Sequence, residues 1–249
     1  MEVLLAGESW ITIEQHFKGW DHFVSAAFHD GATRFKEIFK NTNINIHHLY
    51  AHLVPDYFPS HLEELKKYDI VILSDIGTNS LLLPSKTWHK SQKSFNRLEM
   101  LSEYVLQGGG LIMVGGYYSF QGIHGMARYK DTPIEEVLPV RLLPYDDRVE
   151  VPQGVLPTLG PDFTKVKGFP DKLPVILGYN KTKLLSDAMC IYMIQEDPLL
   201  AIRAVGRGRT AAWTSDIGPH WCPPEFLTSD QYSILWKRTL MWVAKMDQE

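Results

Sequence analysis

The feature that most constrains the fold is the glycine-rich run over residues 107–122, QGGGLIMVGGYYSFQG. Three glycines precede a four-residue apolar segment, and two more follow it before a cluster of polar and aromatic residues. Glycine commonly ends a helix, and a short apolar run is typical of a strand buried on both faces. The run therefore predicts a helix that ends at Gly108, a central strand over 111–114, and a turn at the sheet edge where open α/β sheets bind ligands.

Strand and helix patterns alternate before this run. Apolar or alternating stretches predict strands at 2–6, 44–49 and 68–77, with helices at 61–67 and 97–106. The polar residues within 8–16 predict a loop after the first strand. Residues 23–39 show helical spacing that is broken at Asp30-Gly31, which predicts two short helices or one interrupted helix. The regular alternation indicates a βαβαβ beginning and a right-handed parallel sheet.

Prolines change the pattern after the central strand. They recur from Pro133 to Pro174, so we expect an excursion at about 131–174, made of loops and short extended pieces, that covers one side of the crevice. Two apolar stretches around Gly206-Arg207-Gly208 predict a late antiparallel hairpin. The last helix is expected at about 231–245, with Thr228 and Gln231 in capping-box spacing. The default interpretation of 1–249 is one domain.

Composition limits the classes of function. The 25 Lys and Arg against 29 Asp and Glu give a formal net charge of −4, and the basic residues are scattered, which argues against nucleic acid as a partner. No stretch approaches the roughly 20 apolar residues of a membrane span, and the N-terminus enters a strand pattern without a basic leader. Two cysteines, Cys190 and Cys222, fit a reducing compartment and lack zinc-site spacing. We therefore expect a cytoplasmic protein that contacts no membrane and needs no cofactor.

Motifs spread over the chain resemble a known family. They lie at residues 74–77, 108–122, 138–140, 146–150 and 215–221. Together they resemble the family of putative glutamine amidotransferases, in the class I glutamine amidotransferase-like superfamily that also includes the trehalose-utilisation-type proteins. The resemblance spans nearly the whole chain. It implies a flavodoxin-like three-layer α/β sandwich with a mostly parallel central sheet and added antiparallel strands late in the chain.

The resemblance also implies a degenerate catalytic triad. Class I amidotransferases carry a cysteine nucleophile on a sharp Gly-x-Cys-x-Gly turn, whereas residues 115–119 read GGYYS. Tyr117 therefore stands at the nucleophile position, and a phenol with a pKa of about 10 is protonated at neutral pH. His220 matches the family histidine, while Cys222 stands where the acidic partner is expected. The missing thiolate predicts that ordinary glutaminase activity is lost.

The strand ends and the resemblance indicate one ligand cleft. The candidate cleft residues are Glu8, Ser9, Asp75, Gly77, Asn79, Tyr118, Ser119, Asp216 and Trp221, beside the candidate catalytic residues His220 and Tyr117. In family terms, the amide of Tyr118 and a backbone amide near Gly77 correspond to the oxyanion hole. Hydrogen-bond donors, carboxylates, an imidazole and aromatic rings around one cleft suit a small polar or sugar-like metabolite.

Other polar residues have two interpretations each. Cys222 is a structural thiol or a displaced partner of His220, and Ser119 is a cap of the following helix or a displaced nucleophile; the first is favoured in each case. Histidines crowd the first quarter of the chain, at 16, 22, 29, 47, 48, 52 and 61. A metal site would need His47, His48 and His52 on a helix, whereas a strand followed by a loop sends neighbouring side chains apart. We favour the strand, and therefore no metal.

Three functional hypotheses follow. The preferred one is a superfamily member that has lost amidotransferase activity and binds a small polar metabolite in the former active-site cleft. The second is an enzyme of altered, hydrolytic or lyase-like chemistry, in which His220 is a general acid or base assisted by Asp216, Glu8 or Tyr117. The third is a structural subunit that forms a homo-oligomer or docks onto a partner through the excursion at 131–174.

Overall fold

A mixed eight-stranded sheet lies between two layers of helices in the computed structural model, which describes residues 1–246. The strands are β1 (Glu2–Gly7), β2 (Ser9–Lys18), β3 (Asp21–Asp30), β4 (Asn45–Leu49), β5 (Ile70–Ser74), β6 (Gly110–Val114), β7 (Val140–Arg141), β8 (Arg148–Val155), β9 (Thr158–Leu159), β10 (Ile176–Asn180), β11 (Lys183–Leu184), β12 (Met189–Ile194), β13 (Asp197–Val205) and β14 (Gly208–Trp213). The α-helices are α1 (Thr33–Glu37), α2 (Val54–Tyr57), α3 (Leu62–Leu65), α4 (Thr78–Leu82), α5 (Ser85–Lys90), α6 (Arg97–Leu106), α7 (Pro133–Val137), α8 (Pro224–Leu227) and α9 (Asp230–Val243).

The order of the large sheet is β4-β1-β5-β6-β14-β13-β12-β9. The first five strands pair in parallel, and the last three are added antiparallel. The predicted fold class, a mostly parallel α/β sandwich with late antiparallel strands, is therefore confirmed.

Burial on both faces explains why the central strands are continuously apolar. Every residue of β5 and β6 is buried. Because successive side chains point to opposite faces, Ile72 and Ile112 enter a core with α1 and α9, whereas Val71 and Leu111 enter a second core with α6. The sheet is thus covered on both sides, which leaves its strand ends for function.

Several predicted elements, β1 among them, are confirmed, whereas α2, α4, α5 and α8 were not predicted. The strands β4, β5 and β6 and the β13–β14 hairpin lie where expected, and α6 has the predicted bounds. Helix α3 is shorter than predicted. The capping-box prediction for α9 is wrong, because Ser229 and not Thr228 caps the helix, accepting from the Tyr232 amide at 3.2 Å. Residues 131–174 contain α7, β7, β8 and β9, of which β8 has eight residues.

The prediction for residues 8–39 is wrong. Residues 9–30 form a long antiparallel hairpin of β2 and β3, in register from Ser9 opposite Asp30 to Lys18 opposite Asp21. Only α1 is helical in this region. The hairpin is a two-stranded sheet of its own, and both of its faces are largely exposed. Apolar residues on such a ribbon do not mark a core, so their helix-like spacing was misleading.

Candidate functional site

Four neighbouring parallel strands end at one edge of the sheet and carry the candidate site. Glu8 follows β1 and Asp75 follows β5, while Tyr117 and Asp216 lie in the turns after β6 and β14. The chain leaves β1 for β4 on one side and then for β5 on the other, so strand order reverses between Glu8 and Asp75. This switch point is where open α/β sheets form their ligand crevice.

Glu8 is buried at the switch point. Its backbone is left-handed, with a φ of 45°, and its amide donates to the Ser74 carbonyl at 2.7 Å. The Ser74 hydroxyl donates to Glu8 Oε2 at 2.6 Å. Burial, together with the charges of Asp75 and Asp216, raises the pKa of Glu8 well above its usual range. Glu8 therefore keeps its proton to a higher pH than an exposed glutamate does.

Asp75 packs directly on the turn after β6. Its φ is also 45°, and its Oδ1 accepts from the Tyr118 amide at 2.7 Å. A Cβ at Gly116 would lie 2.8 Å from the same Oδ1, so only glycine leaves room for this carboxylate. Burial raises the pKa of Asp75 to about 6; the Tyr118 hydrogen bond opposes this rise, and the Asp216 charge adds to it.

Asp216 and His220 form a hydrogen-bonded pair. His220 Nδ1 lies 2.9 Å from Asp216 Oδ2, which also accepts from the Trp221 amide at 2.9 Å. Burial raises the pKa of Asp216. Partial burial of His220 disfavours its charged form, but the hydrogen bond and charge of Asp216, with the charge of Glu150, outweigh this and raise the pKa of His220. The His220 side chain is 41% exposed, and its φ of 108° is strained for a residue with a side chain.

Aromatic and charged side chains surround the imidazole. The Tyr117 ring meets the His220 ring edge-on at 4.6 Å, and the Trp221 ring stacks on it at 5.0 Å. One carboxylate holds both flanking residues, since Tyr117 Oη donates to Glu150 Oε1 at 3.1 Å and Trp221 Nε1 donates to Glu150 Oε2 at 2.9 Å. The Arg148 guanidinium lies over the Tyr117 ring at 4.9 Å. The Tyr117 side chain is therefore held at its hydroxyl by Glu150 and over its ring by Arg148.

The family of the chain is decided by comparison with known proteins. Residues 2–245 match the family described as "Putative glutamine amidotransferase". The chain belongs to this family. No curated protein matches the chain.

Solved structures share the fold of this chain. The structure titled "Cytoplasmic Protein STM3548 from Salmonella typhimurium" is 41% identical, with a TM-score of 0.92 over 98% of this chain and 99% of that one. A second, "Cytoplasmic Protein STM1381 from Salmonella typhimurium LT2", is 37% identical, with the same TM-score and coverage. A ThuA-like protein from Parabacteroides merdae shares only the fold, at 14% identity and a TM-score of 0.57 over 99% of this chain and 90% of that one. Within residues 1–246, no helix is long and apolar enough to cross a membrane.

The turn after β6 leads into further turns and not into an α-helix. The non-glycine residues with a positive φ at the site are Glu8, Asp75 and His220, and Tyr117 is not one of them. Turns and bends follow Tyr117, and the next helical residues are the single 3-10 turn Ile123–Gly125. No α-helix therefore begins directly after Tyr117.

Ser119 does not cap a helix, so the favoured interpretation of this residue was wrong. Its hydroxyl accepts from the Asp75 amide at 3.1 Å, which ties the turn after β5 to the turn after β6. Buried Asn180 holds the same turn from the other side, because its Oδ1 accepts from the Gly116 amide at 2.9 Å. These contacts fix the Gly116–Tyr117 backbone without a helix.

The structure brings most of the predicted site residues together. The connected set is Glu8, Asp75, Tyr117, Tyr118, Asp216, His220 and Trp221. Gly77 packs under the Tyr118 ring, where an added Cβ would lie 3.4 Å from it. Ser9 and Asn79 are elsewhere: the Ser9 hydroxyl accepts from the Ala51 amide at 2.8 Å, and Asn79 is exposed on α4.

Sequence reasoning missed Arg148 and Glu150. Both lie on β8, inside the proline-rich excursion, and reach the site from a distant part of the chain. The motif at 146–150 was noticed as a family feature, but no local pattern assigned its side chains to the cleft. A dense group of charges in a loop-rich region was the available signal.

The buried thiols and the early histidines lie outside the chemistry described above. Cys222 is buried, its Sγ donates to the Asp216 carbonyl at 3.0 Å, and burial raises its pKa, which fits the favoured structural interpretation. His47 and His48 lie on β4, as the predicted strand requires, with His47 Nε2 2.6 Å from Glu2 Oε2 and His48 Nε2 2.8 Å from the Gly7 carbonyl.

Proposed function

We propose that the protein binds a small polar metabolite at the edge formed by His220, Tyr117 and Glu150, and that it does not transfer ammonia from glutamine. The observation that carries the proposal is the fixed His220–Asp216 pair. Because Asp216 engages Nδ1, Nε2 is the ring nitrogen left to contact a ligand. The imidazole is partly exposed beside the half-buried Tyr117 ring, and the buried Trp221 ring stacks on it. A polar group beside an aromatic wall is typical of a small-molecule site.

Loss of amidotransferase chemistry is supported by the state of Tyr117. Partial burial, together with the hydrogen bond and charge of Glu150, raises the pKa of this phenol, so it stays protonated at neutral pH. A phenol that keeps its proton is a much poorer nucleophile than the thiolate of a catalytic cysteine.

The backbone donors that would stabilise an oxyanion are also engaged. The Tyr118 amide donates to Asp75 Oδ1 at 2.7 Å, and the Thr78 amide, next to Gly77, donates to the Ala127 carbonyl at 3.0 Å. An acyl-transfer oxyanion would have to displace a carboxylate from the first of these amides.

The groups at this edge favour a ligand rich in hydroxyl groups, such as a sugar or sugar acid. Acceptor carboxylates of Glu150 and Asp75, the imidazole of His220 and the flat ring of Tyr117 would each meet one part of such a ligand, and the buried Trp221 ring supports the imidazole from behind. Free cysteines and the cytoplasmic label of a 41% identical structure support a cytoplasmic metabolite.

A titration of purified protein with monosaccharides, sugar acids and polyols tests this proposal. We expect at least one to bind by calorimetry, and His220→Ala to weaken binding by about 10-fold to 100-fold, the range for one hydrogen bond to a charged group. His47→Ala is the matched control, because His47 is also a half-exposed histidine paired with a carboxylate, and it should bind normally. Equal affinity in the His220 and His47 variants would contradict the proposal.

A second candidate function is acid–base catalysis at the same site. It is favoured by the strained backbone of His220, since residues held at unfavourable φ cluster where mechanism requires them. A bound ligand that is turned over, with His220→Ala abolishing turnover while the protein stays folded, would support this function. Unchanged turnover in that variant would exclude His220 as the acid or base.

A further inference from the structure

The β2–β3 hairpin presents an unusually apolar surface. Its register places five large hydrophobic side chains on one face, and we call these residues the hairpin face: Ile11, Ile13, Phe17, Val24 and Phe28. Each is between 46% and 72% exposed. Contiguous apolar surface of this extent on a soluble protein marks an interaction site.

The two faces of the hairpin differ in chemistry. The charged side chains Glu14, Lys18 and Asp21 all lie on the opposite face, according to the strand register. That opposite face also satisfies its own polar groups, since His29 lies 3.0 Å from Thr12 Oγ1 and His16 lies 3.0 Å from Ser25 Oγ. From residue 11 to residue 28, the described hairpin face carries no Lys, Arg, Asp or Glu.

We propose that the hairpin face is the contact surface of a two-fold dimer of this chain. A face without charge needs no complementary charge on its partner, and an identical face meets it without like-charge repulsion. Two such ribbons can pack as facing sheets about 10 Å apart, which converts two isolated hairpins, each marginal in water, into a small sandwich.

The exposed area is sufficient for two copies. Taking about 100 Å² of exposed surface for each half-exposed large side chain, the five residues supply roughly 500 Å² per chain and about 1,000 Å² for the pair. Neighbouring ribbon atoms add to this, which brings the contact to the lower end of specific interfaces, about 1,200 Å².

The tip of the hairpin extends the contact. Trp20, in the turn, is 103% exposed. A ten-residue strand spans about 33 Å. When two hairpins pack in antiparallel orientation, the tip of each one therefore lies beside the base of the other, where the hairpin joins the rest of the chain. The base of the hairpin is aromatic, because Phe28 contacts Tyr50 and His52 edge-on. It therefore provides an apolar contact for the Trp20 side chain of the second copy.

Adjacent alanines give a matched test. Ala26 and Ala27 are both exposed on β3, but Ala26 lies opposite Ile13 on the hairpin face and Ala27 lies opposite Thr12 on the other face. We expect the wild type and Ala27→Lys to sediment at about twice the 28.5 kDa of one chain at concentrations from about 10 to 100 μM, and Ala26→Lys to sediment as a monomer. Far-UV circular dichroism and thermal unfolding check that both variants are folded.

Each other outcome overturns the proposal. A monomeric wild type over this range would mean that no second copy covers the hairpin face, and an apolar partner of another kind would then occupy it. A dimer that survives Ala26→Lys would place the contact elsewhere, for example on the excursion at 131–174. Dissociation by both variants in the folded state would show that the contact does not distinguish the two faces.

Discussion

Asp75→Asn should make the protein more stable at neutral and alkaline pH. The pKa of Asp75 is about 6 in the folded protein, against 3.8 for an unperturbed aspartate, so the folded state binds more protons between these values. Stability contributed by this group is therefore fully present below pH 4 and is lost as the pH rises through 6. A shift of about 2 units corresponds to about 3 kcal/mol, which is an upper bound because Asp75 is partly accessible.

The substitution preserves the local geometry. Asparagine tolerates the left-handed backbone at a φ of 45°, and its side-chain oxygen can still accept from the Tyr118 amide. Urea unfolding of both proteins from pH 4 to pH 8 gives the difference in free energy of unfolding. We expect this difference to be near zero at pH 4 and to approach 3 kcal/mol in favour of the variant at pH 8.

Asp162→Asn is a control of opposite sign. The hydrogen bond from Lys165, with one from the Cys190 amide, lowers the pKa of Asp162, so its stabilisation is present at neutral pH and is lost as the pH falls. This variant should be less stable than the wild type at pH 8 and approach it at low pH. A pH-independent difference for Asp75→Asn, or a loss of stability at pH 8, would refute the account of the buried carboxylate.

Two further changes test the helix cap and the turn after β6. Ser229→Ala should lower the free energy of unfolding by about 1 kcal/mol in urea titrations, since it removes the side-chain acceptor at the start of α9, and an unchanged value would mean that the cap contributes nothing. Tyr117→Cys should release no ammonia from glutamine in a coupled assay, because Asp75 engages the Tyr118 amide and no helix N-terminus lowers the thiol pKa; activity above the wild type would show that the cysteine alone was missing.

The fold could be predicted from the sequence where burial requires apolar residues. The strands β5 and β6 are continuously apolar because helices cover both faces, and α6 ends at a glycine with a φ of 120°. The same logic located Glu8, Asp75 and Asp216, since neighbouring parallel strands must end at one edge. Residues that follow a buried strand can therefore be placed at one edge of the sheet before the structure is known.

Elements that do not pack one apolar face against the core could not be predicted from the sequence. The β2–β3 hairpin carries apolar residues on an exposed ribbon, so Phe23, Ala26 and Ala27 mimic the spacing of a helix. Glu150 reaches Tyr117 across a sequence separation of 33 residues, and no periodic pattern encodes such a contact. Thr228 was predicted to cap α9, but its neighbour Ser229 does so. Sequence patterns rarely locate a helix end to within one residue.

The hairpin enters and leaves the sheet at a single point. The Gly31 amide donates to the Glu8 carbonyl at 3.0 Å, so the two ends of the ribbon already meet beneath it. Closing this gap with a short turn would cost little chain entropy and would leave the ends of β1 and β5 in place. The ribbon thus leaves the sheet and returns to it at one place, so a change in its length at the tip would leave the carboxylates at its base in position.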